Sequence, residues 1–162
     1  MKKLLFVFLV ALSLVAARGA EASMDSGLFL FADGPDETIM VATGIWADDL
    51  ADSAAVSVRL RYPLMEAIKN KLNKGESPAA AHSTMGYMYG VRRSATVSFF
   101  KSASMDRDEA LIVLSRHSGT GSVPYDNFSA KASDLLKMSD DELKKWVDET
   151  ASRMVAGWRS AK

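Results

Sequence analysis

The chain predicts an α+β fold in a single domain, an antiparallel sheet covered by helices and finished by a C-terminal amphipathic helix. Three observations carry this. Two β-prone runs, 27–32 and 37–46, flank the turn cluster Asp33-Gly34-Pro35-Asp36 and read as a hairpin. From Tyr87 the residues alternate strictly: Tyr87, Tyr89, Val91, Ala95, Val97 and Phe99 point one way, and Arg92, Ser94, Thr96 and Ser98 the other. The last part of the chain repeats apolar residues at helical spacing behind the capping-box sequence Ser139-Asp140-Asp141-Glu142.

Residues 1–22 read as a secretory signal peptide. Lys2 and Lys3 open it, Leu4 to Ala17 carries no charge, and Ala20-Glu21-Ala22 offers small residues where a signal peptidase cuts. A helix of that apolar length rises only about 21 Å, short of the roughly 30 Å hydrocarbon core, so cleavage before Ser23 is expected rather than anchoring. The expected product is exported, periplasmic or secreted, and comprises residues 23–162 as one domain. No stable membrane insertion is expected after cleavage.

Removing Lys2, Lys3 and Arg18 with Glu21 from the 20 basic and 20 acidic side chains leaves seventeen against nineteen, a formal charge of −2. Such near-neutrality gives no general attraction to nucleic acid or anionic lipid, so no nucleic-acid partner is expected. The chain has no cysteine, so an exported fold of this size has to be stabilised by packing alone.

Ser23 to Gly27 reads as a mobile polar lead, followed by the hairpin. The stretch 48–62 supports two readings. Ala54, Val58, Met65, Ile68 and Leu72 share a helical stripe, whereas Val56, Val58, Leu60 and Tyr62 alternate as a strand would. A helix over 49–74 kinked at Pro63 is preferred, because no turn residue separates Ala55 from Val56. Residues 76–83 form a small-residue linker. The strand over 85–101 carries Arg93 on its apolar face, which requires a partner or a position at the sheet margin. Residues 109–116 have helical start and stop signals but a β-branched centre; a strand paired with 95–100 is preferred. Residues 118–124 read as a loop and 129–138 as a short helix. In the tail, Leu143, Trp146, Val147, Thr150, Met154 and Trp158 form a core stripe opposite mixed charges.

Four constellations are candidates for function. Arg92, Arg93, Arg116 and His117 are candidate ligand-binding residues. Arg59 and Arg61, grouped with Arg92, Arg93 and the aromatics Tyr87, Tyr89 and Phe100, suggest a basic aromatic surface for a polyanion or glycan. His82, Met85 and Met88 form His-x-x-Met-x-x-Met, an imidazole-thioether set that suits Cu(I), although strand geometry would send Met85 to the opposite face. Gly119-Thr120-Gly121-Ser122 offers backbone amides but runs into Val123-Pro124 instead of a helix, which favours a flexible turn. Asn127-Phe128-Ser129 is an N-glycosylation acceptor only in a host that glycosylates exported chains, and the lysine-led leader looks bacterial.

Leu111 to Leu114, then Ser115-Arg116-His117-Ser118-Gly119, resembles the strand-then-Arg-His-Gly motif of the histidine phosphatases over about nine residues. The resemblance implies phosphoryl transfer to His117 with Arg116 binding the phosphoryl group. It departs where Ser118 replaces a glycine, and no second histidine follows. With only two histidines and no cysteine, neither a triad nor a zinc site assembles. The expectation is therefore an exported, non-catalytic binding or accessory protein with a protein or small-molecule partner. A copper-binding protein and a phosphoryl-handling enzyme centred on His117 are the alternatives.

Overall fold

The computed structural model describes residues 23–33, 38–73, 91–118 and 121–161. Residues 1–22, which hold the expected leader, and the copper candidates His82, Met85 and Met88 lie outside the described residues, as do Tyr87 and Tyr89.

The strands are β1 (Ser23–Ala32), β2 (Thr38–Ala47), β3 (Val91–Ser102), β4 (Arg107–Ser118) and β5 (Gly121–Ala130). They form one sheet in the order β1-β2-β3-β4-β5. The helices are α1 (Leu50–Val56), a π-helical turn (Ser57–Arg61), α2 (Tyr62–Asn73), α3 (Ala132–Lys137) and α4 (Asp140–Ser160). The domain is α+β, with the C-terminal amphipathic helix in place.

The expected hairpin is β1 against β2, antiparallel from Ser23 opposite Ala47 to Ala32 opposite Thr38. Residues 23–27 are therefore strand, not a mobile lead: β2 extends far enough to pair with them, and Asp25 is held by Arg61 at 3.0 Å. The pair β2 and β3 is parallel, so the sheet is mixed. The reason lies in the intervening helix. Its 24 residues run about 36 Å, enough to carry the chain back past a ten-residue strand of about 33 Å, so β3 starts at the end where β2 started. Strands β3 and β4 are antiparallel, which pairs 109–116 with 95–100 as expected and sets Ala95 opposite Leu114 and Phe99 opposite Ala110.

The stretch 50–73 is helical throughout, which discards the strand reading of 56–62. Val56 and Leu60 are buried while Val58 and Tyr62 are exposed, the signature of a helix and not of alternation. Pro63 does not break it. The preceding turn widens to π geometry, with the Tyr62 N–H donating to the Ser57 carbonyl, and so accommodates the proline ring.

Residues 121–130 are strand where a loop and then a helix start were expected. Pro124 cannot donate to a ladder, but β5 is the edge strand beyond β4, where a missing donor is tolerated. A bulge at Tyr125 resets the register, since Ser115 faces Pro124 and Leu114 faces Asp126. Helix α3 consequently begins at Ala132. Its neighbour α4 has the full capping box: Ser139 Oγ accepts from the Glu142 N–H, and the Glu142 carboxylate accepts from the Ser139 N–H.

One face of the sheet packs on the helices. Ile39, Val41 and Ile45 of β2, Ala95, Val97 and Phe99 of β3, and Ile112 and Leu114 of β4 meet Leu60, Leu64 and Ile68 of the first helical stretch and Leu143, Val147, Met154 and Trp158 of α4. The opposite face has no helix over it among the described residues. There Trp46 stacks on Phe100 at 4.6 Å between ring centroids, with the Arg107 guanidinium 3.3 Å from the centre of the Phe100 ring. At the far end of the sheet Asp48 clamps the β3–β4 turn, accepting from Ser102 Oγ, Ser104 Oγ and the Ala103 N–H at 2.6–2.7 Å.

Candidate functional site

A cavity of about 620 Å³ opens at the end of the sheet where β3 begins and β4 ends, beside the last turn of α4. Its wall is Asp33, Arg92, Arg93, Arg116, His117, Trp158, Arg159 and Ala161. All four ligand-binding candidates from the sequence thus meet in one place. Each is placed by strand geometry. Successive residues point to opposite faces, so Arg92 and Arg93 approach the cavity from the two sides of β3. The β3–β4 register sets Arg116 directly across from Arg93 on the helix side, and His117 falls on the open side.

Two guanidinium groups opposite one another on a sheet repel, so the pairing needs an acceptor. Asp33, at the end of β1, supplies it: Arg93 Nη2 lies 3.0 Å from the Asp33 carboxylate. Arg93 Nη1 donates to the Trp158 carbonyl at 2.9 Å, placing a cation on the C-terminal carbonyls of α4 where the helix dipole favours it. Trp158 returns a hydrogen bond, its indole N–H donating to the Ser94 carbonyl at 3.2 Å. Helix end and strand start are therefore tied by two reciprocal bonds, both buried. Arg159 reaches across to donate to the Lys71 carbonyl at 3.4 Å.

His117 Nε2 is 2.8 Å from Ser94 Oγ. Ser94 is buried, so this bond holds the imidazole against β3. On the neighbouring bulge, burial pushes the Tyr125 phenol above its usual range. The charges of Arg93 and Arg116 pull it down, while Asp126 reinforces the rise.

Among the described residues the wall carries four arginines against one carboxylate, a formal charge of +3 in a chain that is close to neutral overall. Guanidinium forks match the oxygens of carboxylates and phosphates, so the arrangement suits an anion. Within about 8 Å such a field is felt even at physiological salt.

Asp33, Trp158 and Arg159 were not candidates from sequence. Asp33 read as a turn residue and Trp158 as core, and only the long-range pairing of β1, β3 and α4 brings them to Arg93. Of the broader basic aromatic surface, the described members Arg59, Arg61 and Phe100 lie apart from the cavity. Arg59 donates to the Met138 carbonyl at 2.8 Å and lies 3.5 Å from Asp140, Arg61 is buried against Asp25, and Phe100 is sandwiched between Trp46 and Arg107. These arginines sit in or beside the π-helical turn, and helix packing consumes them. Among the described residues, no three His, Asp or Glu side chains converge as a metal site. No described helix is long and apolar enough to cross a membrane. Comparison with family models, with curated proteins and with solved structures found no match.

Proposed function

We propose that this chain is an exported, non-catalytic binding module whose ligand is an anion held in the cavity of Arg92, Arg93, Arg116, His117 and Arg159. The observation that carries the reading is the meeting of four guanidinium groups on one cavity with a single carboxylate among the described residues. Export rests on the leader, and cleavage before Ser23 would leave β1 whole. The phosphoryl-transfer reading has weaker support. Ser94 already occupies His117 Nε2, and the remaining polar neighbours in the cavity are cations, with Asp33 engaged by Arg93. Such a set binds a negative charge but offers no acid to protonate a leaving group.

The test is the mass of the protein purified from its host, native and then denatured. The reading requires a denatured chain that starts at Ser23 and a native excess that is lost on transfer to high salt and is absent from the Arg92→Ala/Arg116→Ala variant. A full-length chain removes the export half. A ligand that the double variant retains removes the binding half.

A further inference from the structure

The two edges of the sheet are built differently. Strand β5 is blunted by Pro124, by the bulge at Tyr125 and by the charge of Asp126. Strand β1 has neither a proline nor a bulge. It runs ten residues against β2 without a register shift, contains no proline or lysine, and has no strand on its outer side among the described residues. Its one charge, Asp25, is taken by Arg61.

Apolar surface lies along both sides of this edge. On the open face Met24 is 62% exposed, and Leu28 also stands in solvent. On the helix side Val58 is 67% exposed, and a hollow of about 630 Å³ is lined by Phe29, Phe31, Val58, Tyr62, Pro63 and Met65. An unpaired strand edge with apolar surface on both flanks is a template for strand addition.

We infer that β1 pairs antiparallel with β1 of a second copy, about a two-fold axis through Leu28, to give a continuous ten-stranded sheet. The sequence of the edge is self-complementary in that register. Leu28 faces Leu28, Gly27 faces Phe29, Ser26 faces Leu30 and Met24 faces Ala32, so no like charges are opposed. The two helix layers then lie on the same side, and the hollows adjoin. The rim of each hollow carries Glu66 and Lys69, which pair with each other at 3.4 Å, so the rim presents no net charge to a second copy. A strand about 33 Å long, with a strip about 20 Å wide across edge and flanks, covers roughly 650 Å² per copy, near the lower bound for a specific interface, which suits a weak, concentration-dependent dimer. This inference is independent of the anion cavity, which lies beside β3, β4 and α4.

The experiment is sedimentation equilibrium of the protein from about 1 to about 200 µM, a range that brackets micromolar association. The wild type is expected to pass from monomer to dimer. Leu28→Lys and Leu28→Glu, at an exposed position that folding tolerates, are each expected to weaken association by about 100-fold or more, because identical charges meet on the axis. An equimolar mixture of the two is expected to restore the dimer. A wild type that stays monomeric throughout, a single variant that dimerises as the wild type does, or a mixture that fails to recover association each overturns the inference. Circular dichroism of both variants confirms that the fold is retained.

Discussion

Replacing Arg93 by methionine is expected to cost the fold substantially, because it breaks a largely buried ion pair from one side. The side chain is 10% exposed and its partner carboxylate 18%, so both charges of the pair are largely withdrawn from water. Arg93→Met keeps most of the volume but leaves the Asp33 carboxylate without its cation and the Trp158 carbonyl without the Arg93 donor. Breaking a buried ion pair from one side costs about 3–5 kcal/mol. The residual exposure places the expected value at the lower end, about 3 kcal/mol. For a domain of this size that lowers Tm by about 9 °C. The distinguishing result is the double variant Arg93→Met/Asp33→Leu. Removing both charges leaves no stranded carboxylate, so the pair together is expected to cost about 1 kcal/mol, well short of the sum of the two single changes. Urea denaturation of the four proteins followed by circular dichroism measures the coupling. A single variant within about 1 kcal/mol of wild type, or a double variant that is simply additive, would refute the reasoning.

The Asp48 carboxyl is lowered to about 2 by its hydrogen bonds from Ser104 and Ser102, with smaller help from the Ala103 and Ser104 amides. A folded-state value below the unfolded one contributes stability that is complete above about pH 4 and is lost as pH falls toward 2; Asp48→Asn is expected to flatten that acid limb in pH-dependent unfolding, and an unchanged limb counts against the clamp. Ser139→Ala removes the N-cap of α4 and is expected to cost about 1 kcal/mol in urea unfolding. It should also return the Glu142 carboxyl, lowered by hydrogen bonds from the Ser139 side chain and N–H, toward its ordinary range, which carboxyl-carbon NMR reads directly. A Cβ at Gly44 would come within 2.3 Å of the Trp46 ring, so Gly44→Ala is expected to displace Trp46 from Phe100 and alter the near-ultraviolet circular dichroism, with the far-ultraviolet spectrum unchanged. A near-ultraviolet spectrum identical to wild type would show that the indole can yield without leaving its stack.

What could be read from the residues alone was mostly local. The capping box at Ser139, the β1–β2 hairpin, the helix through Pro63 and the strand over 109–116 each depend on spacing and turn chemistry within a few residues; the expected inner stripe holds at Met65, Ile68 and Leu72, but Ala54 and Val58 before the proline are exposed, because the π-helical turn shifts the buried face to Val56 and Leu60. What could not be read depends on partners distant in sequence. The parallel pairing of β2 with β3 follows from where the intervening helix returns the chain. Residues 121–130 open with the glycine and proline of a loop, and become strand because β4 offers an edge that tolerates Pro124. Ser23 to Gly27 is polar enough to look like a free lead, yet β2 supplies a full ladder for it. The cavity divides in the same way. Arg92 and Arg93 stood out as an arginine pair within an alternating strand, and Arg116 and His117 through the Arg-His-Gly resemblance. Asp33 and Trp158, which organise Arg93, gave no signal because their roles exist only across separations of about 60 residues.

The central claim is that the arginine cavity binds an anion, and NMR titration of the isotope-labelled protein with pyrophosphate at low ionic strength tests it most directly. The expected result is saturable shifts in the backbone and side-chain N–H signals of Arg92, Arg93, Arg116 and His117, weakened by added salt and lost in the Arg92→Ala/Arg116→Ala variant. Shifts that fail to saturate, that spread over the surface lysines, or that persist in the double variant would contradict the claim.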